Sequence, residues 1–251
     1  MTGQTSADER AYWDGWYADM AERPARDVLH QRHLGLPAGW HANNTVPWAG
    51  IGEIAEILGL DAGGVLLDLG CGRGAIGVEL AARADAAVYG IDLSAVALQA
   101  ARATARGRGV RHAYAAAPMT TTGLRAASVD AAICIDSAQF AGAGLGDELR
   151  RVLRPGGRVV LTCWRATTPG DPEVPAKIRD LDLAAELDTA GFAAVTVAEP
   201  RHWDAAEQAM WAEAAALEPG DDAALRSMHE EGVRAVERGD RLRRILVSAV
   251  R

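Results

Sequence analysis

The chain is poor in cysteine and lysine, and it lacks long apolar runs. Its three cysteines, Cys71, Cys134 and Cys163, have no metal-ligand spacing, so we expect free thiols in a reducing cytoplasm and no metal centre. No apolar stretch approaches the ~18 residues that span a bilayer, and the N-terminus has no apolar signal-peptide core. The net charge of −8 argues against an electrostatic hold on nucleic acid. We therefore predict a cytoplasmic protein with neither a nucleic-acid partner nor a membrane partner.

The 251 residues, 49% of them hydrophobic, suffice for one α/β domain with additions rather than two domains. Apolar segments of strand length alternate with segments of helical spacing, which predicts a parallel sheet with helices on both faces. Strands are predicted at 64–69, 87–91, 110–115, 129–135, 157–164, 193–198 and 243–250. Helices are predicted at 48–59, 74–83, 94–106, 143–153 and 179–190, and a turn at 154–158.

Three glycines follow the first apolar strand at alternate positions. Asp68 comes directly after the apolar run, and Gly70, Gly72 and Gly74 precede a segment with helical spacing. Glycine permits positive φ and lets a ligand lie against bare backbone, and the start of a helix offers unpaired N–H groups. The spacing differs from the G-x-G-x-x-G of dinucleotide sites, and the lysine of a phosphate-binding P-loop is absent. We predict a site for a nucleoside-type ligand.

A second apolar strand ends in an acid about 20 residues after the glycines, where a carboxylate can accept both hydroxyls of a ribose. That acid is Asp92, and a simple strand-end or capping role is its alternative interpretation. Ser94 follows as the predicted N-cap of an alanine-rich helix that begins at Ala95. The fourth strand likewise ends in polar residues, Asp136 and Gln139. Ligands of doubly wound sheets bind outside the carboxyl ends of the strands, so we expect both residues beside the ligand, with helix capping as the alternative for Asp136.

These motifs resemble those of class I S-adenosylmethionine (SAM)-dependent methyltransferases over about residues 48–200. The glycine stretch, the strand that ends at Asp92 and the turn Arg154-Pro155-Gly156-Gly157 carry the resemblance. It implies a Rossmann-like α/β fold with a seven-stranded, mostly parallel sheet, SAM as cofactor and S-adenosylhomocysteine as product. The cofactor-binding residues that it implies are Asp68, Gly70, Cys71, Gly72, Gly74, Asp92, Leu93, Met119, Asp136 and Gln139.

The segment after the third strand departs from the family pattern. Family members usually carry there an acid that contacts the adenine amino group, and this chain has Pro118. Met119 is expected to pack on the adenine face, or the backbone or Thr120 holds the ring.

Two segments lie outside the predicted core of residues 48–200. In residues 1–47, Tyr12, Trp16 and Met20 recur every four residues and predict one face of a helix. This face either packs on the sheet or forms a lid whose aromatic rings attract a sulfonium cation. Residues 201–241 are predicted as a helical insertion before the final strand, 242–251, and serve either as a cap on a pocket or as a homodimer contact. The predicted substrate-binding residues are Tyr12, Trp16, Trp48 and Gln139.

For such a transferase the protein must align the reacting atoms, exclude water and accept a proton. The candidate bases are His41, His202 and Asp136, because histidine titrates near neutral pH and an acid can orient a substrate. Either histidine is alternatively structural. The predicted acceptor is a small, partly apolar metabolite of secondary metabolism, methylated on O or N rather than C. The competing hypothesis is a protein that binds SAM without methyl transfer, as a cyclase or a ligand sensor; a dehydrogenase is a third, which preferential binding of NAD(H) would favour.

Overall fold

The computed structural model describes residues 2–20, 24–41 and 43–251. Within them a seven-stranded sheet has the order β3-β2-β1-β4-β5-β7-β6. All neighbouring pairs are parallel except those of β7, which runs antiparallel to β5 and β6. The strands are β1 (Val65–Leu69), β2 (Ala87–Asp92), β3 (His112–Ala116), β4 (Val129–Ile135), β5 (Leu153–Ala166), β6 (Ala193–Ala198) and β7 (Leu242–Val250). The mostly parallel Rossmann-like fold predicted from the sequence is confirmed.

Helices cover both faces of the sheet. They are α1 (Thr2–Met20), α2 (Pro24–Leu34), α3 (Trp48–Leu58), α4 (Ala75–Arg83), α5 (Ala95–Gly107), α6 (Leu145–Val152), α7 (Ala176–Arg179), α8 (Leu183–Thr189), α9 (Arg201–Ala215) and α10 (Ala223–Arg238). Short 3₁₀ turns lie at Ala138–Phe140 and Gly239–Arg241. None of the described helices is both long enough and apolar enough to cross a membrane.

Alternation along the central strands separates the two apolar cores. Leu66 of β1 and Ile133 of β4 pack with α3 and α9 on one face, whereas Leu67 and Cys134 pack with α6 and α8 on the other. Successive residues of a strand point to opposite faces. This register places Asp68 on the same face as Leu66, beneath the start of α4.

Two predicted boundaries are wrong. The helix expected at 179–190 begins only at Leu183, because the Asp182 carboxylate accepts a hydrogen bond from the Ala185 N–H at 3.0 Å and caps α8 there. The turn expected at 154–158 is a bulge inside β5. Val129 pairs with Leu153 while Ala131 pairs with Arg158, so the residues between protrude from the ladder.

The N-terminal helices and the inserted helices, which the sequence analysis treated as separate additions, pack on each other. Leu29 and Leu34 of α2 share a buried cluster with Met210 of α9. His33 Nε2 lies 2.6 Å from a Glu213 carboxylate oxygen on α9. The two segments form one helical layer on the α3 face of the sheet. Met20 of the predicted aromatic face has its side chain outside the part of the chain that the structure describes.

Candidate functional site

The turn between β1 and α4 is a backbone cradle at the carboxyl edge of the sheet. Gly70, Gly72 and Gly74 have φ values of +64°, +52° and +76°, a region that glycine adopts without strain. A Cβ added at Gly72 would lie 2.6 Å from the Tyr17 hydroxyl, and one at Gly70 would lie 2.6 Å from Ser137 Cβ. A side chain at either position would therefore collide with Tyr17 or Ser137, which lie close against the turn.

Asp68 lies below this turn and supports it. It is 4% exposed, its carboxylate packs against Gly77 of α4, and it accepts that residue's backbone N–H. Burial and the nearby charge of Asp92 raise the pKa of Asp68 to about 8. The expectation that Asp68 contacts the cofactor is at odds with this buried position, which assigns it to holding the first turn of α4 under the cradle.

Asp92 lies at the end of β2 and faces the cradle. Its two carboxylate oxygens accept the backbone N–H of Gly72 at 2.8 Å and of Ser94 at 2.9 Å. Burial raises its pKa, and these hydrogen bonds oppose the rise. Ser94 caps α5 as predicted, since its hydroxyl accepts the Ala97 N–H at 3.1 Å. Asp92 is therefore an acceptor held in place beside bare backbone.

Helix α1 lies over the cradle. The Asp14 carboxylate accepts hydrogen bonds from the Ser94 hydroxyl at 2.6 Å and the Val96 N–H at 3.2 Å, next to Asp92. The half-buried Tyr17 has a pKa that is raised first by burial and then by the charge of Asp92. Sequence reasoning missed both residues as site residues; Asp14 and Tyr17 stand three apart on one helix face, and this spacing was the available signal.

The other aromatic residues of α1 form an edge-to-face cluster. The Trp13 ring centroid lies 5.1 Å from that of Tyr12, 5.9 Å from that of Trp16 and 5.2 Å from that of Phe140. Such contacts are the preferred geometry of aromatic pairs. The predicted substrate residue Tyr12 is 63% exposed on the outside of this cluster, whereas Trp16 also meets Tyr17 at 4.9 Å.

Asp136, at the end of β4, has an unusual backbone with φ of +55°. Its carboxylate forms an ion pair with Arg244, accepts the Thr162 hydroxyl at 2.7 Å and accepts the Thr45 N–H at 3.2 Å. With both oxygens engaged and a guanidinium as partner, this carboxylate is poorly suited to take a proton. Asp136 thus orders the turn, and its role as a base stays a prediction.

Arg244 is a buried arginine within β7, 1% exposed. Its guanidinium also donates to Glu207 at 2.9 Å and to the Thr45 hydroxyl at 2.5 Å, and lies 4.8 Å from the centre of the Trp164 ring. The two carboxylates raise its pKa despite its burial. Sequence reasoning missed this residue, although an arginine inside an otherwise apolar strand indicates a buried partner.

The two candidate histidines occupy different surroundings. His41 Nδ1 lies 2.5 Å from an Asp27 carboxylate oxygen, and Arg73 of the glycine turn lies 3.6 Å from the other oxygen of the same carboxylate. His202 Nε2 instead lies 2.7 Å from Glu53 of α3, and the side chains of His41 and His202 are 54% and 61% exposed. Only His41 is therefore connected to the cradle, through Asp27 and Arg73.

The remaining predicted residues divide between the cradle and the core. Met119 lies beside Gly70, with its sulfur 3.3 Å from where a Cβ would be, and the half-buried Leu93 follows Asp92. Pro118 is exposed. Cys71 sits in the turn, and burial raises the pKa of its thiol, which keeps it protonated. Trp48 packs edge-on to Trp40 at 5.1 Å and under Arg83 at 4.8 Å, a core contact that places it outside the cavity described next.

A cavity of about 290 Å³ lies beyond the carboxyl edge of β5, between α7, α9 and α10. Gln139, Trp164 and Arg244 line its sheet side, and Lys177 and Trp211 line its helical side. Gln139 is fixed there because its amide donates to the Asp136 carbonyl at 2.8 Å and accepts from the Cys163 thiol at 3.3 Å. The volume is at the lower end of the range of small-molecule sites. Among the described residues no group of three or more His, Cys, Asp or Glu side chains could hold a metal ion.

Comparisons with known proteins agree with this geometry. Residues 66–157, from β1 into β5, match a family model described as a methyltransferase domain. A comparison with curated proteins finds no match.

Among solved structures, the phosphoethanolamine N-methyltransferase 2 of Haemonchus contortus superposes with a TM-score of 0.73 at 17% identity; the alignment covers 94% of this chain and 59% of that one. The cyclase SpnF superposes with a TM-score of 0.72 at 22% identity, and the alignment covers 90% of this chain and 92% of that one. The geranyl diphosphate C-methyltransferase of Streptomyces coelicolor superposes with a TM-score of 0.69 at 19% identity, and the alignment covers 98% of this chain and 97% of that one.

Identities this low establish the fold alone, and the chain spans 59% of the Haemonchus enzyme's length. The match to the methyltransferase-domain model covers residues 66–157, where the glycine turn and Asp92 lie. The chain therefore matches a methyltransferase-domain model over residues 66–157 and has the fold of these SAM-dependent methyltransferases.

Proposed function

We propose that the chain is a SAM-dependent methyltransferase that acts on an oxygen or nitrogen atom of a small, partly apolar metabolite. One observation carries the proposal: a single turn joins a backbone cradle to a separate cavity. Ser137 contacts the cradle at Gly70, and Gln139, two residues later, lines the cavity. A cofactor in the cradle and an acceptor in the cavity would meet across this turn.

The cradle fits SAM in shape and polarity. Gly70 and Gly72 present bare backbone, with Tyr17 and Ser137 close to them, and Asp92 offers carboxylate oxygens beside this backbone for ribose hydroxyls. When bound, SAM supplies an electrophilic methyl group on a sulfonium. The Haemonchus and Streptomyces enzymes were both crystallised with S-adenosylhomocysteine, which supports the same ligand here.

Helix α1 contributes the lid in this proposal. Trp13 and Tyr17 carry aromatic rings over the cradle side of the turn, where they exclude water and attract a sulfonium through cation–π interaction. Asp14 fixes the helix to the start of α5. The residues of α1 thereby hold the reacting atoms in line rather than taking part in bond making.

The proton of the acceptor goes to His41 in this proposal. The Asp27 carboxylate orients the imidazole through Nδ1, which leaves Nε2 as the proton acceptor. Close by in the chain, Asn43 accepts a hydrogen bond from Arg73 of the glycine turn at 3.1 Å, and Thr45 accepts one from Arg244. His202, paired with Glu53 on an exposed surface, is assigned a structural role.

The second candidate function is a SAM-binding protein that does not transfer methyl. The ion pair that engages Asp136 favours it, as does the position of both histidines outside the set of described residues that line the cavity. A cyclase, SpnF, shares the fold over 92% of its length. Under this alternative the cradle holds SAM as a scaffold and the cavity holds the reacting molecule.

Calorimetric titration of the purified chain with SAM and with S-adenosylhomocysteine tests the cofactor, after mass spectrometry has excluded a co-purified nucleotide. We expect micromolar or tighter binding of both. Incubation with methyl-labelled SAM and a panel of phenols, amines and organic acids then tests transfer. Binding without label transfer would favour the second candidate, and no binding by a folded, ligand-free chain would refute both.

A further inference from the structure

The cavity between α7, α9 and α10 carries a charge pattern that the proposed methyl transfer does not use. Three cationic side chains line it: Lys177, Arg238 and Arg244. Three carboxylates, those of Asp204, Glu207 and Glu231, line it as well. Asp204 pairs with Arg243 at 3.2 Å, and Glu207 pairs with Arg244 at 2.9 Å. The third, Glu231, stands seven residues before Arg238 on α10, about 10 Å along the helix axis.

Arg244 is paired with a carboxylate, whereas within the described part of the chain Lys177 and Arg238 are not. Among the described residues, no carboxylate lies within ion-pair distance of either of these two side chains. The Lys177 ammonium lies over the Phe140 ring, 4.1 Å from its centre. Partial burial and the charge of Arg238 both lower the pKa of Lys177, so the two cations are close enough to repel each other. An anion between them would remove this repulsion.

Arg244 supplies a second, independent sign of a missing acceptor. Its side chain is 1% exposed, yet its Nε–H has no hydrogen-bond partner among the described residues. A buried donor without a partner costs free energy, and such groups are rare in folded proteins. The cavity beside it is the space from which an acceptor could reach it.

The rest of the lining is apolar and aromatic. Trp164, Trp211 and Ile178 border the same space. Indole rings favour a flat or apolar body, whereas the cations favour an oxyanion, so together they select an amphipathic acid over a neutral molecule or an amine.

We propose that this cavity binds the oxyanion of the acceptor, a carboxylate or phosphate on an apolar body, between Lys177 and Arg238, with Arg244 at the sheet end. As an assignment of the acceptor it rests on the proposed function; as an anion site it stands on the cavity alone. The single lysine of the chain would then be a specificity residue, set apart from the arginines that make ion pairs on the surface.

Four probes test the site in protein saturated with S-adenosylhomocysteine: benzoate, phenyl phosphate, inorganic phosphate and benzamide, the neutral counterpart of benzoate. Calorimetry or the fluorescence of Trp164 and Trp211 gives each affinity. We expect benzoate or phenyl phosphate to bind at least about tenfold more tightly than benzamide, because only the anions accept charge-assisted hydrogen bonds from the cations. Added salt should weaken this binding. If benzoate binds more tightly than phenyl phosphate, the site prefers a carboxylate; the reverse order indicates a phosphate. Tighter binding of phenyl phosphate than of inorganic phosphate would show that the apolar part of the ligand also contributes.

The paired variant Lys177→Met/Arg238→Met keeps the apolar stems and removes both charges. We expect it to lose the preference for the anion, and Lys177→Arg/Arg238→Lys to retain it. Arg234→Met is the matched control on α10, because Arg234 is half exposed and pairs with Glu230 at 3.8 Å. Equal affinity for benzoate and benzamide, no anion binding at millimolar concentration, or an unchanged preference in the double methionine variant would each overturn the proposal.

The same titrations, repeated in the absence of S-adenosylhomocysteine, separate the two proposals. Binding of S-adenosylhomocysteine without any anion preference would refute the anion site and leave the methyltransferase proposal standing. Anion binding by a protein that does not bind S-adenosylhomocysteine would support the site and refute the proposed cofactor.

Discussion

Asp92 shows how one residue can serve the fold before it serves a ligand. Its carboxylate holds the N–H groups of Gly72 and Ser94, and so fixes the turn and the start of α5 in relation to each other. The residue is 8% exposed, and its pKa is raised. A ribose that donates two hydroxyl groups would stabilise its charged form.

Replacing Asp92 by alanine should weaken SAM binding by about 1.5–3 kcal/mol, the value of hydrogen bonds to a charged group. Calorimetry should then show a dissociation constant about ten- to a hundredfold higher. The exposed Asp188→Ala on α8 is the control for a lost carboxylate. An unchanged affinity in Asp92→Ala, with the fold checked by circular dichroism, would contradict the ribose assignment.

The raised pKa of Asp68 predicts that the stability of the fold depends on pH. Its pKa is raised to about 8 in the folded chain, against an ordinary value of about 4 in the unfolded chain. Between about pH 4 and about pH 8 the folded state binds a proton that the unfolded state does not. The free energy of unfolding therefore falls as pH rises through this range, by up to about 1.4 kcal/mol per pH unit.

Asp68→Asn is neutral at every pH and keeps an oxygen for the Gly77 N–H. Urea unfolding of both proteins at about pH 5, 6 and 7 should show the variant gaining on the wild type as pH rises. Parallel curves over this range would show that Asp68 is already ionised in the folded protein.

His41→Gln should lower kcat about a hundredfold or more, the usual contribution of a positioned base, while the affinity for SAM stays the same. His202→Gln is the matched control and should leave kcat within about twofold. If both variants keep full activity, the base is another group. If both lose activity equally, the pairing of His41 with Asp27 does not distinguish it from His202 as the base.

At the scale of elements, the strand–turn–helix unit of β1 and α4 depends on glycine for two separate reasons, positive φ and close contact. Gly72→Ala meets both obstacles, since φ is +52° and the Tyr17 hydroxyl would lie 2.6 Å from the new methyl group. We expect binding of S-adenosylhomocysteine to be lost, with the free energy of unfolding lowered by about 1–2 kcal/mol from the strained backbone.

Gly107→Ala is the control for that variant. Gly107 closes α5, nothing lies within 4 Å of the position that a Cβ would take there, and its φ is ordinary. The variant should bind as the wild type does and gain a few tenths of a kcal/mol from helix propensity. A Gly72→Ala protein that stays folded and still binds in calorimetry would show that the ligand does not approach the turn.

At the scale of the whole molecule, we expect α1 to be the element whose stability depends most on the ligand. It reaches the sheet through Asp14, Tyr17 and the Trp13–Phe140 contact, all at the rim of the cradle. Elements with few buried apolar contacts open at low free energy, and a ligand beneath them adds to their stability.

Saturation with S-adenosylhomocysteine should therefore slow amide hydrogen exchange in peptides of α1 more than in peptides of β6, at the far edge of the sheet. Mass spectrometry measures both in one experiment. Unchanged exchange in α1 at ligand saturation would show that the helix packs on the sheet without covering the site.

The sequence by itself determined the features that depend on local pattern: the seven strands, the glycine turn, the acid after β2 and the Ser94 cap. Each is encoded within a few residues, because strand alternation, positive φ and N-capping are short-range properties. The tertiary structure alone decided which polar side chains meet. It paired Asp136 with Arg244 across 108 positions, placed Asp14 and Tyr17 over the cradle, and brought Lys177 and Arg238 to one cavity. Such pairings follow from the packing of elements distant in the chain, which no local pattern in one sequence records.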